Sequence, residues 1–232
     1  AHEIVQDQIG DTPIVIARSP LIDEVAVFER SLDGVPLDFG VSGLLDDLSL
    51  VMHDRDPAAA SLLSGHDGRF IAGPQVGRQL NPVPGVSVTT WRDWLARHPK
   101  TDVALRDVGS LQRYRRISYD RYLDGSNWII APRETAENPI GARDRVLAVL
   151  AVGAEAPWAI FPLAELAARM TPEGLSVGVG ELRLVVAKGT GDPSSTFDLI
   201  RADGLELRFG FWHSASIRDP SEAREALDRG RL

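Results

Sequence analysis

Apolar residues alternate with polar ones through most of the first hundred positions. The runs Ile4–Ile9, Pro13–Arg18, Glu24–Arg30, Val35–Val41 and Ser49–His53 are short and rich in Val, Ile, Leu and Phe. Gly10-Asp11, Asp33-Gly34 and Gly43 stand between them. A period of two punctuated by turn residues predicts β-strands. Asp33-Gly34 between two apolar runs predicts a tight hairpin. From 65 to 88, Gly or Pro recurs every few residues, which suits short strands and loops. The period changes at Thr90. Trp91, Trp94 and Leu95 share one helical face over 90–98, Thr90 and Asp93 form a capping-box pattern, and His98-Pro99 stops the helix.

Residues 107–144 are polar and read as a connection, with one short helical piece near 119–123. The strand pattern then restarts. Arg145–Val152 and Pro157–Phe161 predict a hairpin, followed by a helix over Pro162–Met170 with Leu163, Leu166 and Ala167 inward. Strands follow at Leu175–Val179, Leu182–Lys188, Thr196–Arg201 and Leu205–Phe211. Asp219-Pro220 opens a closing helix, with the acid as cap and proline in the first turn.

Ile9–Gly40 lies without a gap over Val179–Gly210, a shift of 170 residues (179 − 9). Gly10, Val15, Ala17, Asp33, Gly34, Leu37, Phe39 and Gly40 recur as Gly180, Val185, Ala187, Asp203, Gly204, Leu207, Phe209 and Gly210. This points to an internal duplication. The expected architecture is a β-rich α+β fold: two related antiparallel β halves, 1–106 and 145–232, with a few short helices, joined by 107–144 and packed as one globular unit. The second copy has a hairpin and helix ahead of the shared segment, which the first copy lacks. The expectation is therefore either further sequence upstream or completion by a neighbour.

Charge narrows the partners. Net charge is −8, which argues against a nucleic-acid binder. The chain has no cysteine, so disulfides, thiolate nucleophiles and Cys-bound metals are excluded. No apolar run approaches the ~18 residues that span a bilayer. Lysine occurs only at 100 and 188, a bias attributed first to coding composition.

One ordered set of motifs is specific. His2-Glu3-Ile4-Val5, Phe39-Gly40-Val41-Ser42-Gly43-Leu44-Leu45, Met52-His53-Asp54-Arg55, Ile71-Ala72-Gly73-Pro74, Thr89-Thr90-Trp91 with Trp94, and Arg97-His98-Pro99 follow one another. In this the chain resembles the bacterial and archaeal domain-of-unknown-function family 3179, over about residues 2–163. The resemblance implies no activity, and an exported or membrane-anchored setting. It also implies what has changed. Ser19-Pro20-Leu21-Ile22-Asp23 stands where the family usually has Cys-Pro-Leu-Cys-Gly. Asp46-Asp47 replaces Tyr-Asn, His53 replaces Tyr, and Leu63 replaces Trp in a Ser-Leu-Trp-Ser run. Residues that set the fold remain, while those suited to chemistry are gone.

The candidate chemistry is thin. His2, His53 and Asp54 would hold a divalent metal if their strands converged, against the plainer reading of half-exposed strand residues. Gly174-Leu175-Ser176-Val177-Gly178 has the spacing of a nucleophile elbow, but the elbow needs strand before and helix after, and here the order is reversed. Gly189–Ser195 is loop-like and lacks the lysine of a phosphate loop. Arg113, Arg115 and Arg116 would suit an acidic partner or a plain surface connection. Trp91 and Trp94 are read as core or interface anchors. The expected function is a non-catalytic accessory or structural subunit that binds another protein, outside the cytoplasm on the resemblance. The alternatives are a metal-dependent or redox enzyme at His2, His53 and Asp54, and a small-molecule-binding module.

Overall fold

The alternating runs pair as antiparallel strands. β1 (Ile4–Ile9), β2 (Thr12–Ser19) and β3 (Glu24–Glu29) form successive hairpins. Two miniature strands, β4 (Ser31–Leu32) and β5 (Val35–Pro36), close around Asp33 and Gly34, whose φ values of 52° and 78° make the expected tight turn. The single strand expected over Val35–Val41 is broken. Leu37–Asp38 separates β5 from β6 (Phe39–Asp46), because Leu37 N–H turns back to Arg30 C=O. β7 (Ser49–Asp54), β8 (Leu62–Ser64) and β9 (Phe70–Ala72) complete a four-stranded sheet in the order β6-β7-β8-β9.

The computed structural model describes residues 3–103 apart from 59, 85 and 87, and then 122, 140–151 apart from 142, 159–171, 174–179, 182–188, 197–201, 205–211 and 220–230. Beyond helix α1 (Trp91–Arg97) lie β10 (Arg145–Ala151), β11 (Ala159–Pro162), α2 (Leu163–Arg169), β12 (Leu175–Val179), β13 (Leu182–Lys188), β14 (Phe197–Arg201), β15 (Leu205–Phe211) and α3 (Pro220–Gly230). β15 pairs with β10 along its length and meets β3 at Phe209↔Val25. One six-stranded sheet, β1-β2-β3-β15-β10-β11, thus draws strands from both ends of the chain. β12-β13-β14 form a separate sheet.

The core follows from the period of two. Val15, Ala17, Ala26 and Phe28 point inward from β2 and β3. They meet Phe39, Leu50, Met52, Leu63, Phe70 and Leu80 from the four-stranded sheet and the loop beyond it. A second cluster joins Val146, Ala148 and Leu150 of β10 and Ile160 of β11 to Ala226 and Leu227 of α3. The first hairpin pairs Val5↔Ile16, and β12–β13 pair Leu175↔Val186, the same register after a shift of 170. The next pairing differs: Ala17↔Ala26 in β2–β3 corresponds to Ala187↔Asp198, two residues further on.

Helix α1 forms where the pattern puts it. Thr90 caps it as the pattern predicts, accepting Asp93 N–H at 3.2 Å and donating to Asp93 Oδ2 at 2.8 Å. The capping carboxylate is what becomes buried, while Trp91 is 56% exposed. The apolar face therefore turns outward.

Gly40 lies opposite His53 in the β6–β7 ladder, and a Cβ built on it would sit 2.5 Å from His53 Nε2. The glycine of the Phe-Gly-Val-Ser motif makes room for this ring. Gly40→Ala is expected to cost about 1–3 kcal/mol in chemical denaturation, and the penalty should largely vanish in a His53→Ala background. An equal penalty in both backgrounds would refute the assignment.

Candidate functional site

The turn joining β2 to β3 holds the residues that depart from the family pattern. Ile22 N–H closes it onto Ser19 C=O at 3.3 Å, with Pro20 presetting the bend. Ile22 is fully buried and fills core volume. Asp23 has φ 50°, a left-handed conformation in which glycine is easiest and Asp is tolerated. Its carboxylate uses that position. Oδ1 takes Arg18 at 2.7 Å and Oδ2 takes Arg145 at 2.9 Å, which ties the turn to β10. Tyr122 O–H donates to Leu21 C=O at 2.9 Å, beneath the Arg143 guanidinium 4.6 Å from its ring. Burial pushes the Tyr122 hydroxyl above its ordinary pKa, with Arg143 pulling the other way, so it remains a donor.

Ser19 begins a buried polar chain between the two sheets. Ser19 Oγ accepts Leu50 N–H at 2.9 Å and lies 3.3 Å from Ser49 Oγ. Ser49 donates to Glu24 Oε2 at 3.0 Å. With its Nδ1 carrying the hydrogen, His66 donates to Glu24 Oε1 at 2.6 Å. Ser19, Glu24, Ser49 and His66 are all at most 4% exposed. Ser19 and Glu24 belong to β2 and β3, Ser49 to β7, and His66 to the loop after β8. A buried carboxylate this deep demands donors, and each sheet supplies part of the set. At its Nδ1 the imidazole meets the carboxylate, and Ser49 reaches that same carboxylate from its other oxygen.

A cleft of about 270 Å³ opens over Ser19, between Glu3, Pro20 and Leu21 on one side and the end of the β6–β7 hairpin on the other. A bulge shapes that hairpin, since Val41 pairs with Met52 and Leu45 with Leu50. Three residues of β6 thus span what one covers in β7. Ser42 fills the broken ladder by donating to Val51 C=O at 2.6 Å and accepting Leu44 N–H at 3.0 Å. Gly43 turns the strand at φ 79°. The result is three outward aliphatic side chains, Val41, Leu44 and Leu45, exposed by 49%, 53% and 42%. The hairpin turns on Asp47 and Leu48, both at positive φ. Leu48 at 74° is strained by about 1–2 kcal/mol, and its buried side chain in the cleft wall holds it there.

The residues singled out in the sequence are only partly gathered. His2 lies outside the described residues, as do Arg113, Arg115 and Arg116. His53 and Asp54 are neighbours on β7 and so face opposite sides of the sheet. His53 packs over Gly40, with its Nδ1 3.1 Å from Asp54 C=O. Asp54 Oδ1 accepts Asp56 N–H at 2.9 Å. Among the described residues no three metal-ligating side chains come together. Trp91 is exposed, while Trp94 stacks on His98 at 4.2 Å and donates to Thr101 Oγ1 at 2.7 Å. Ser176 sits in strand β12 rather than on an elbow.

Sequence reasoning missed Glu24, Ser49 and His66. A signal was present for Glu24 and Ser19: both continue inward-facing rows, Glu24 with Ala26 and Phe28, and Ser19 with Val15 and Ala17. A carboxylate at a core position of the alternation announces a buried partner.

A family model described as "Protein of unknown function (DUF3179)" matches residues 1–219. Comparison with curated proteins and with solved structures gives no match.

Glu24→Ala would remove the carboxylate that answers the buried His66 Nδ1 and the Ser49 hydroxyl, and is expected to cost about 3–5 kcal/mol in urea unfolding. Ser19→Ala, which orphans Leu50 N–H, should cost about 1–3 kcal/mol. Outside the clasp formed by Ser19, Ser49, Glu24 and His66, the Gln6 amide hydrogen bond and then the Arg55 cation hold the Asp38 carboxyl below its ordinary pKa. A carboxylate with a lowered native pKa stabilises the fold above its unfolded pKa, and that contribution fades on acidification below about pH 4. Asp38→Asn should therefore flatten the acid limb of the stability–pH curve and leave its neutral slope unchanged.

Proposed function

The chain belongs to this family of proteins of unknown function, and on that premise we propose that it is a non-catalytic accessory subunit that binds another protein. One observation carries the reading: the turn at 19–23 is absorbed into the scaffold. Ser19 is hydrogen-bonded into the clasp, Ile22 is core, and Asp23 is ion-paired on both oxygens. Beside these spent groups, aliphatic side chains stay exposed around a cleft. Contiguous exposed apolar surface rimmed by polar residues is the mark of a binding face.

The matching register of β1–β2 and β12–β13 supports a duplication as the origin of the two hairpins. The two-residue offset at the next strand is then divergence, since β3 has been drawn into the large sheet by β15. An extracytoplasmic location rests on the family resemblance alone.

Light scattering with size-exclusion chromatography on the protein from its native source tests the proposal. A complex of fixed stoichiometry with a different polypeptide is expected. A lone monomer that turns over a substrate would contradict it.

A further inference from the structure

We infer that the outward face of helix α1 is a further docking face, where Trp91 and Leu95 anchor an apolar side chain of a partner protein and Arg92 takes an acidic group beside it. The inference rests on the protein-binding reading above and adds a contact outside the cleft, which no residue of α1 lines.

The turn of the helix makes the face. At about 100° per residue, Trp91, Leu95, Arg92 and Ala96 follow one another around one side of α1. All four are exposed, Trp91 by 56% and Leu95 by 38%, while Asp93 takes the buried side. Both ends of the helix are held. Thr90 and Asp93 bond to each other at the first turn, and at the last Trp94 packs on His98 and reaches Thr101. The face is thus presented already ordered, which lowers the entropic cost of binding. A lone exposed leucine is ordinary. A tryptophan with a leucine one turn on, next to an arginine, brings together the two residue types most enriched in binding hot spots, Trp and Arg.

Charge selects the occupant. From 80 to 100 the basic residues are Arg92, Arg97 and Lys100, and the only acid is Asp93, buried in the cap. The next acid, Asp102, is exposed. Arg97 is turned onto Asp93 C=O at 3.2 Å. Arg92 and Lys100 have no hydrogen bond or ion pair among the described residues. A locally basic face therefore stands on a chain of net charge −8. A guanidinium with its donors unused, beside an apolar stripe, matches a carboxylate next to an apolar side chain. Other occupants fit worse. Docking on lipid through charge takes about four to eight Lys or Arg, and an anionic leaflet repels this chain as a whole. Two copies meeting on this face about a two-fold axis would bring the same basic patch against itself.

Fluorescence anisotropy on the whole chain tests this with three labelled nine-residue peptides. One alternates Leu with Glu, one alternates Leu with Arg, and one alternates Ser with Glu. Saturable binding of the Leu/Glu peptide is expected, roughly tenfold tighter than either control. Trp91→Ala should weaken it about tenfold. Arg92→Glu should reverse the preference, so that the Leu/Arg peptide binds better than Leu/Glu. Tryptophan emission should shift to the blue on binding in the unmodified chain and stay in place in Trp91→Phe. Both positions are exposed, and unchanged circular dichroism and melting would show the variants folded. No binding of Leu/Glu, binding of Ser/Glu equally tight, or indifference to both substitutions would overturn the face. Tighter binding to phosphatidylserine vesicles than to the peptide, or self-association that Trp91→Ala abolishes, would overturn the partner assigned to it. The native complex separates the two levels of the reading. A complex that forms and is weakened by neither Trp91→Ala nor Arg92→Glu refutes this face and leaves the binding role standing. If no complex exists, the binding role itself fails.

Discussion

A carboxylate inside an apolar core has to be answered by donors, and the answer given to Glu24 organises this protein. Ser49 reaches it from the opposite sheet, and His66 reaches it from the loop that follows β8. Ser19 then joins Ser49 to the Leu50 backbone. The apolar rows of the two sheets would tolerate sliding against one another, since dispersion contacts have little directional preference. A hydrogen-bonded clasp does not. It sets which residue of β2 and β3 faces which residue of β7. Its net stabilisation is small against a well-packed apolar substitute, so the contribution lies in registration.

Registration at the clasp is what shapes the surface above it. Ser19 is at once the last buried residue of β2 and the floor of the cleft. Held there, the turn from Pro20 to Asp23 is anchored by its own bend, by Tyr122 and by two arginines. The facing wall depends on the β6 bulge, where Ser42 substitutes for missing ladder bonds, and on Leu48, kept in a strained conformation by burial. Two rigid lips and an apolar gap follow from these local devices. On the proposed reading, the gap is the part that meets a partner, and the serine below it is a structural member.

Much of the fold was legible because alternation is a strong local signal. The runs from Ile4 to Arg30 and from Arg145 to Phe211 appear as strands close to where the pattern put them, and Asp33-Gly34 turns as its chemistry requires. What lay beyond the sequence was non-local. Nothing in β15 announces that Phe209 will pair with Val25 across the chain, so one sheet spanning both regions was not foreseen. In helix α1 the spacing located the Trp91 stripe but left core and interface both open, and it was Asp93, bound to its own cap, that took the buried position. Of the site, Ser19 and the 19–23 turn stood out by their departure from the family. His66 did not, since a histidine after a strand carries no sign of a partner 42 residues away.

The central claim is that Glu24 is locked from both sides inside the closed interface. Proton NMR of the histidine-labelled chain reads this directly. A His66 Nδ1 proton that exchanges slowly with water, and that becomes fast or disappears in Glu24→Gln, is the result the account predicts. A His66 ring proton in rapid exchange with solvent in the unmodified protein would contradict it.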